Sequence, residues 1–205
     1  MQVFGGEFRE GLFSKKTLFG VLSPLKEVTT MSYAELAKQN FLAGYNCSQS
    51  VLLAFESVTG LDAERAARLA APFGGGMGRM REVCGAVSGA LMVLGLVLGY
   101  SDPKDTEGKS RHYALVREFA ARFKAGSVTV KPSAAPLQAG ESIPPAPEGS
   151  IICRELLATA SVPNGAGGEA EARTAAYYQK RPCPDLCALA AEITAELLRE
   201  NGVLI

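Results

Sequence analysis

The chain has 205 residues with 21 basic and 21 acidic side chains, so its formal net charge is zero. A balanced charge, without any basic cluster interleaved with aromatic residues, argues against nucleic-acid binding. Five cysteines are too few for a disulfide scaffold, and the N-terminal segment lacks the long apolar region of a signal peptide, so we expect a cytoplasmic protein with reduced thiols.

Apolar residues begin to recur at helical spacing after residue 31. We therefore interpret residues 1–31 as an N-terminal extension, either poorly ordered or an over-long start assignment, and residues 32–205 as one domain. Three predicted helices are preceded by side chains that cap helix N-termini. The predicted caps are Ser32 for a helix from residue 33, Asn46 for residues 47–58, and Asp62 for residues 63–71.

Residues 73–79 contain four glycines, which disfavours a helix because glycine loses the most conformational entropy on ordering. We expect this loop to bring the backbone close to Cys84 and its partners. Arg79 and Arg81 beside it would balance a negative site, but we expect them on the solvated surface. The glycines that we expect to contact a bound group are Gly74, Gly75, Gly76 and Gly85.

Residues 83–100 form the most apolar segment and carry no charged side chain. Their number is at the lower edge for a membrane span. However, the amphipathic helices around this segment need an apolar partner, so we favour a central helix buried on all sides over a span. Its glycines recur at the four-residue spacing of close helix contacts and could also serve a homodimer.

An amphipathic helix is predicted over residues 105–125, followed by a Pro-rich surface loop or insertion at about 126–149. Order resumes at Ser150 with a short helix, and residues 184–201 form the last helix. No segment reads convincingly as a strand. The sequence therefore predicts an all-α, single-domain helical bundle around the central apolar helix over 83–100. We expect about six to eight helices, with boundaries predicted to within about two to four residues.

Four of the cysteines fall at the predicted start of a helix. At that position free backbone N–H groups and the positive end of the helix dipole favour an anion, so a thiol ionises more readily. The thiolate is both the nucleophile of thiol chemistry and the ligand of soft metals. We hypothesise that these residues form one redox site: Cys47, Cys84, Cys153 and Cys183.

Another interpretation of the cysteines is that each one packs in the core as a small apolar residue. The sequence contains no CxxC, which excludes a thioredoxin-type motif and a zinc-ribbon pair. Cys187 lies four residues after Cys183, where a core-facing apolar residue is expected, and we interpret it as a packing residue.

The segment Cys84-Gly85-Ala86-Val87-Ser88-Gly89 resembles the CGAxxG signature of the C_GCAxxG_C_C family of redox-active proteins. The segments around Cys47, Cys153 and Cys183 and the glycine loop resemble other parts of that family in the same order. The resemblance covers about residues 33–198. The Pro-rich insertion and the extra Cys187 depart from the family pattern.

The resemblance implies a small helical domain with four characteristic cysteines, a redox role, and kinship with a domain of multi-haem and iron–sulfur electron-transfer proteins. It favours an iron–sulfur cluster held by those four cysteines and served by an unidentified redox partner. Two alternatives stay open. One is a metal-free thiol–disulfide protein, which as an enzyme would be an oxidoreductase. The other is a structural zinc site that stabilises a binding module.

Overall fold

A computed structural model describes residues 31–130, 149–158, 166–179 and 181–205. Over these residues the protein is all-α, as predicted, with nine α-helices, a 3-10 turn over Ala71–Phe73, and an isolated antiparallel bridge between Val83 and Ile152. The helices are Tyr33–Leu42 (α1), Cys47–Ala54 (α2), Glu56–Thr59 (α3), Ala63–Ala70 (α4), Gly85–Leu98 (α5), Thr106–Ser127 (α6), Cys153–Ala158 (α7), Ala175–Gln179 (α8) and Cys183–Glu200 (α9).

The three predicted N-caps are confirmed. The side chains of Ser32, Asn46 and Asp62 each accept a hydrogen bond from the backbone N–H three residues on, over 3.2, 3.0 and 2.9 Å. At α2 a full capping box forms, because the backbone N–H of Asn46 also donates to the side chain of Gln49 over 3.0 Å. These bonds satisfy N–H groups that a helix start leaves unpaired, and they fix where each helix begins.

Two helical details differ from the sequence prediction. The predicted helix over 47–58 is interrupted at Phe55, where φ is −108°. The interruption lets the fully buried Phe55 ring stack on Tyr33 with centroids 4.4 Å apart, and this packing outweighs continuity of the helix. The short helix α8 was not predicted at all, because its five residues have no apolar face that periodicity could reveal.

Helix α9 packs against α1, α2, α5 and α6, and most of its residues are buried. Helix α5 packs against α2, α9 and α6. Its first half is buried, but Leu96 in its second half is 48% exposed. The expectation that this apolar helix is buried on all sides therefore holds only for the half that carries the cysteine signature.

The first half of α5 lies directly against the backbone of α2. A Cβ atom added to Gly89 would lie 2.5 Å from the carbonyl oxygen of Ser48, and one added to Gly85 would lie 3.0 Å from the Cβ of Cys47. Real Cβ atoms do not come as close as 2.5 Å, so the packing distance requires glycine at position 89, and at position 85 a Cβ would force Cys47 to shift.

None of the helices in the described ranges combines the length and the apolarity that crossing a bilayer requires. The N-terminal extension, apart from its last residue, and most of the Pro-rich insertion lie outside the described residues.

Two glycines of α5 allow a matched test of the α2–α5 contact. Gly89→Ala should lower the free energy of unfolding by about 1 to 3 kcal/mol, because the added methyl group overpacks the contact with Ser48. Gly95→Ala adds the same methyl group to the same helix, where nothing lies within 4 Å. That control should be neutral or should stabilise by up to about 1 kcal/mol through helix propensity.

Urea denaturation of both variants measures the difference. Equal stability of the two variants would show that the close approach of α2 to α5 does not exist.

Candidate functional site

The four cysteines predicted at helix starts do lie there. Cys47, Cys153 and Cys183 are the first residues of α2, α7 and α9, and Cys84 is the N-cap of α5. Cys84, Cys153 and Cys183 are buried, and Cys47 is partly exposed. The free backbone N–H groups of a helix start carry partial positive charge, and those of Ala86 and Val87 act on the sulfur of Cys84.

These four thiols form a group linked by electrostatic interactions. Cys47 and Cys183 each shift the other's pKa, and Cys84 is close enough to both Cys153 and Cys183 for their charges to interact. That the four make up one functional site stays a prediction. The fully buried Cys187 joins them, because its thiol donates to the carbonyl oxygen of Cys47 over 3.7 Å. All five cysteines are free thiols. Within the described ranges, no three His, Cys, Asp or Glu side chains are arranged around a point that would suit a single metal ion.

Backbone pairing between two distant segments sets Cys84 beside Cys153. The N–H of Cys84 donates to the carbonyl of Ile151 over 2.7 Å, and the N–H of Cys153 donates to the carbonyl of Glu82 over 2.6 Å. The guanidinium of Arg154 also donates two hydrogen bonds to the carboxylate of Glu82, over 2.8 and 2.9 Å. The start of α7 is thus fastened to the segment that leads into α5.

The glycines of the predicted site lie against this cluster. A Cβ at Gly76, whose φ is +71°, would lie 2.7 Å from the Cβ of Cys153. A Cβ at Gly74 would lie 2.6 Å from the Asn46 side chain that caps α2, and one at Gly75, whose φ is +65°, 3.0 Å from Arg79. With Gly85 against Cys47, two of the four glycines touch cysteines directly. Their contact with a bound group stays a prediction.

Burial and mutual proximity keep the thiols neutral. For Cys47, the contact with Cys183 lowers the pKa, but the contact with Cys187, burial and neighbouring thiolate charge outweigh it, so the net pKa is raised well above its ordinary value. For Cys183, the contact with Cys47 and burial raise the pKa well above normal, although Arg181 and Arg173 oppose this. Burial likewise raises the pKa of Cys84, Cys153 and Cys187.

Cations and amides beside the sulfurs oppose this effect of burial. The N–H groups of Ala86 and Val87 lower the pKa of Cys84, although its sulfur forms no capping bond of regular geometry. Arg81 hydrogen-bonds to Cys153 and lowers the pKa of that thiol in the same way. The cluster is therefore built to hold neutral thiols, with donors in place to stabilise negative charge on sulfur.

The expectation that Arg81 lies on the solvated surface is wrong. Arg81 is only 4% exposed, and its backbone is left-handed with φ of 63°. Such a conformation costs an arginine about 1 to 3 kcal/mol. Two bonds hold it: the N–H of Arg81 donates to Gly75, and its carbonyl accepts from Arg154. The side chain of Arg79 is 25% exposed.

Four further residues beside the thiols were not predicted to belong to the site. Arg173, Arg181, Tyr177 and Glu171 join Arg79 and Arg81 in lining a pocket of about 200 Å³, which Asn46 and Gly74 also line. Arg181, only 5% exposed, bonds to Glu171 over 2.9 Å and lowers the pKa of Cys183. The position of Arg181 two residues before Cys183 was a usable signal, whereas Arg173 and Glu171 lie in a segment without periodicity.

The raised thiol pKa values make stability depend on pH. The folded protein favours neutral thiols, so the stability that they contribute is fully present below the ordinary thiol pKa of about 9. It is lost as the pH rises through the higher pKa values of the folded state. We expect the free energy of unfolding of the reduced, metal-free protein to fall between about pH 8 and about pH 11, as measured by urea denaturation.

Cys187→Ala removes one buried thiol and supplies the comparison. Its stability should decline less steeply over the same pH range, since one raised pKa is gone. Identical slopes for the two proteins would contradict the raised pKa of Cys187.

Comparison with known proteins was made at the level of families, of curated proteins and of solved structures. A family model described as "Putative redox-active protein (C_GCAxxG_C_C)" matches residues 45–197. Neither a curated protein nor a solved structure matched the chain. The matched range covers well over half of the chain and includes the glycine loop and the helix starts that carry Cys47, Cys84, Cys153 and Cys183. The chain therefore belongs to the C_GCAxxG_C_C family of redox-active proteins.

Proposed function

We propose that this chain is an electron-transfer protein that holds an iron–sulfur cluster on Cys47, Cys84, Cys153 and Cys183. The observation that carries the proposal is that the four cysteines stand at the starts of four different helices, that three of them are buried, and that their thiols interact electrostatically. A set of four cysteines is the ligand set of the common iron–sulfur clusters.

The surroundings of the thiols support such a group. Thiolates are soft ligands that favour iron–sulfur clusters, zinc and copper(I). The N–H groups at the start of α5 and the buried Arg81 are placed to stabilise negative charge on Cys84 and Cys153. Hydrogen bonds to sulfur and burial are the protein's means of setting a cluster's potential. When bound, the cluster would supply one-electron transfer.

Formation of a cluster must also displace protons. Each ligand binds as a thiolate, and burial raises the pKa of these thiols, so the affinity should fall as the pH is lowered. We place this chemistry in the cytoplasm, where thiols stay reduced. The partner would be an electron donor or acceptor whose identity the chain does not reveal.

The proposal is tested by anaerobic purification, a visible spectrum, and analysis for iron, acid-labile sulfide and zinc. The wild-type chain should be coloured and should contain iron and sulfide together. Cys84→Ser should lose most of both and most of its colour, because the buried serine oxygen is a harder and much less acidic ligand.

Cys187→Ala is the matched control. It removes a buried thiol next to Cys47 but none of the four proposed ligands, so it should keep its colour and its iron. A colourless wild-type chain without iron would contradict the cluster, and zinc in its place would point to the structural zinc site.

A second candidate function is thiol–disulfide exchange between Cys47 and Cys183. What favours it is that these two thiols, at the starts of α2 and α9, interact strongly enough for each to shift the pKa of the other. Oxidation would remove one proton and one electron from each thiol and join the sulfurs, with a small-molecule disulfide as the oxidant that is reduced to two thiols.

Mild oxidation of the metal-free chain with a disulfide tests this candidate. Peptide mapping should find a Cys47–Cys183 bond that dithiothreitol reverses, and Cys187→Ala should still form it. If the bond forms only between Cys183 and Cys187, or if all five thiols resist oxidation, this second function is wrong.

A further inference from the structure

The pocket beside the thiols is strongly basic. Four arginines and one carboxylate line it. Even with Arg81 left out of the count, three arginines face a single carboxylate among the described residues, an excess of two positive charges. Arg79 and Arg181 share that carboxylate, binding its two oxygens over 3.0 and 2.9 Å. The carboxylate of Glu171 thus pairs with two guanidinium groups, and both of its oxygens are bonded to residues other than Arg173.

Arg173 has no anionic partner within the described residues. Its guanidinium lies between the rings of Phe41 and Tyr177, 4.6 and 4.7 Å from their centroids. One terminal nitrogen, Nη2, makes a long bond of 3.4 Å to the carbonyl of Tyr45, whereas Nη1 is buried and has no hydrogen-bond partner.

Such an arrangement is costly unless something else completes it. A buried donor without a partner costs about 1 to 3 kcal/mol, and more when the group is charged. Buried charges in proteins are ordinarily paired. In this pocket Arg81 and Arg181 are nearly fully buried, and Arg173 presents a buried donor that nothing in the described chain accepts.

We propose that this pocket binds a small oxyanion, which accepts a hydrogen bond from Arg173 and neutralises the excess charge of Arg79, Arg173 and Arg181. A guanidinium offers parallel N–H donors whose spacing matches two oxygens of a carboxylate, phosphate or sulfate. The pocket of about 200 Å³ has room for a small dianion.

The pocket and the thiols are neighbours but distinct. Arg81 lines the pocket and also lowers the pKa of Cys153, and Arg181 lines the pocket while its charge lowers the pKa of Cys183. The oxyanion would therefore be held next to the sulfur cluster without binding to it. Binding of the oxyanion would need no metal, because arginine side chains alone would hold it.

Titration calorimetry with the full chain tests the proposal, using inorganic phosphate, sulfate and malonate in turn, at constant ionic strength set with chloride. At least one of the three should bind with one-to-one stoichiometry, and their order of affinity distinguishes a tetrahedral anion from a dicarboxylate. Arg173→Gln should weaken binding by about tenfold or more, because a charge-assisted hydrogen bond is lost.

Arg68→Gln is the control for charge alone. Arg68 lies on α4 with a side chain that is 80% exposed, so its loss removes one positive charge at a distance from the pocket and should leave the affinity unchanged. An equal effect of the two substitutions, or no binding of any of the three anions, would overturn the proposal.

Chemical protection of the wild-type chain gives a second measurement that needs no variant to fold. Phenylglyoxal modifies arginine, and mass spectrometry locates the modified residues. The bound anion should protect Arg79 and Arg173 but not Arg65 or Arg68, which are exposed on α4. Uniform protection of all four would overturn the proposal. Iron analysis of the same sample reports separately on the proposed cluster, so either idea can fail alone.

Discussion

The close approach of α5 to the start of α2 is the contact on which the thiol cluster depends. Gly85 and Gly89 allow backbone to meet backbone at this point, which no residue with a Cβ would permit. Cys84 and Cys47 stand at the two helix starts that this contact joins. Glycine allows a close approach in the glycine loop as well, because Gly76 packs against Cys153. Small residues thus set how near the sulfurs lie to one another.

Two opposed electrostatic effects meet in this cluster. Burial and mutual proximity favour neutral thiols, whereas helix-start amides and buried arginines favour negative charge. A site with both features can change its charge at a limited cost, because part of the compensating charge is already in place. That property suits redox chemistry, in which electrons and protons arrive at or leave the same group.

Local sequence patterns predicted the elements that local physics determines. Ser32, Asn46 and Asp62 cap helices where expected, because a cap depends on a side chain and a backbone N–H only three residues apart. The helix break at Phe55 was not predictable in this way. It results from stacking on Tyr33, 22 residues earlier in the chain, and only packing of α1 against the end of α2 brings the rings together.

The sequence by itself determined the helical class, the positions of Cys47, Cys84, Cys153 and Cys183 at helix starts, and the glycines that let the backbone come close. All of these follow from short-range steric and hydrogen-bonding preferences. Only the tertiary structure decided that the thiols influence one another and that Arg81, Arg173 and Arg181 line one pocket beside Asn46, the cap of α2. The reason is physical: an arginine becomes a buried partner of a thiol or a carboxylate only when distant segments fold together, and no local pattern records the charge that it will meet.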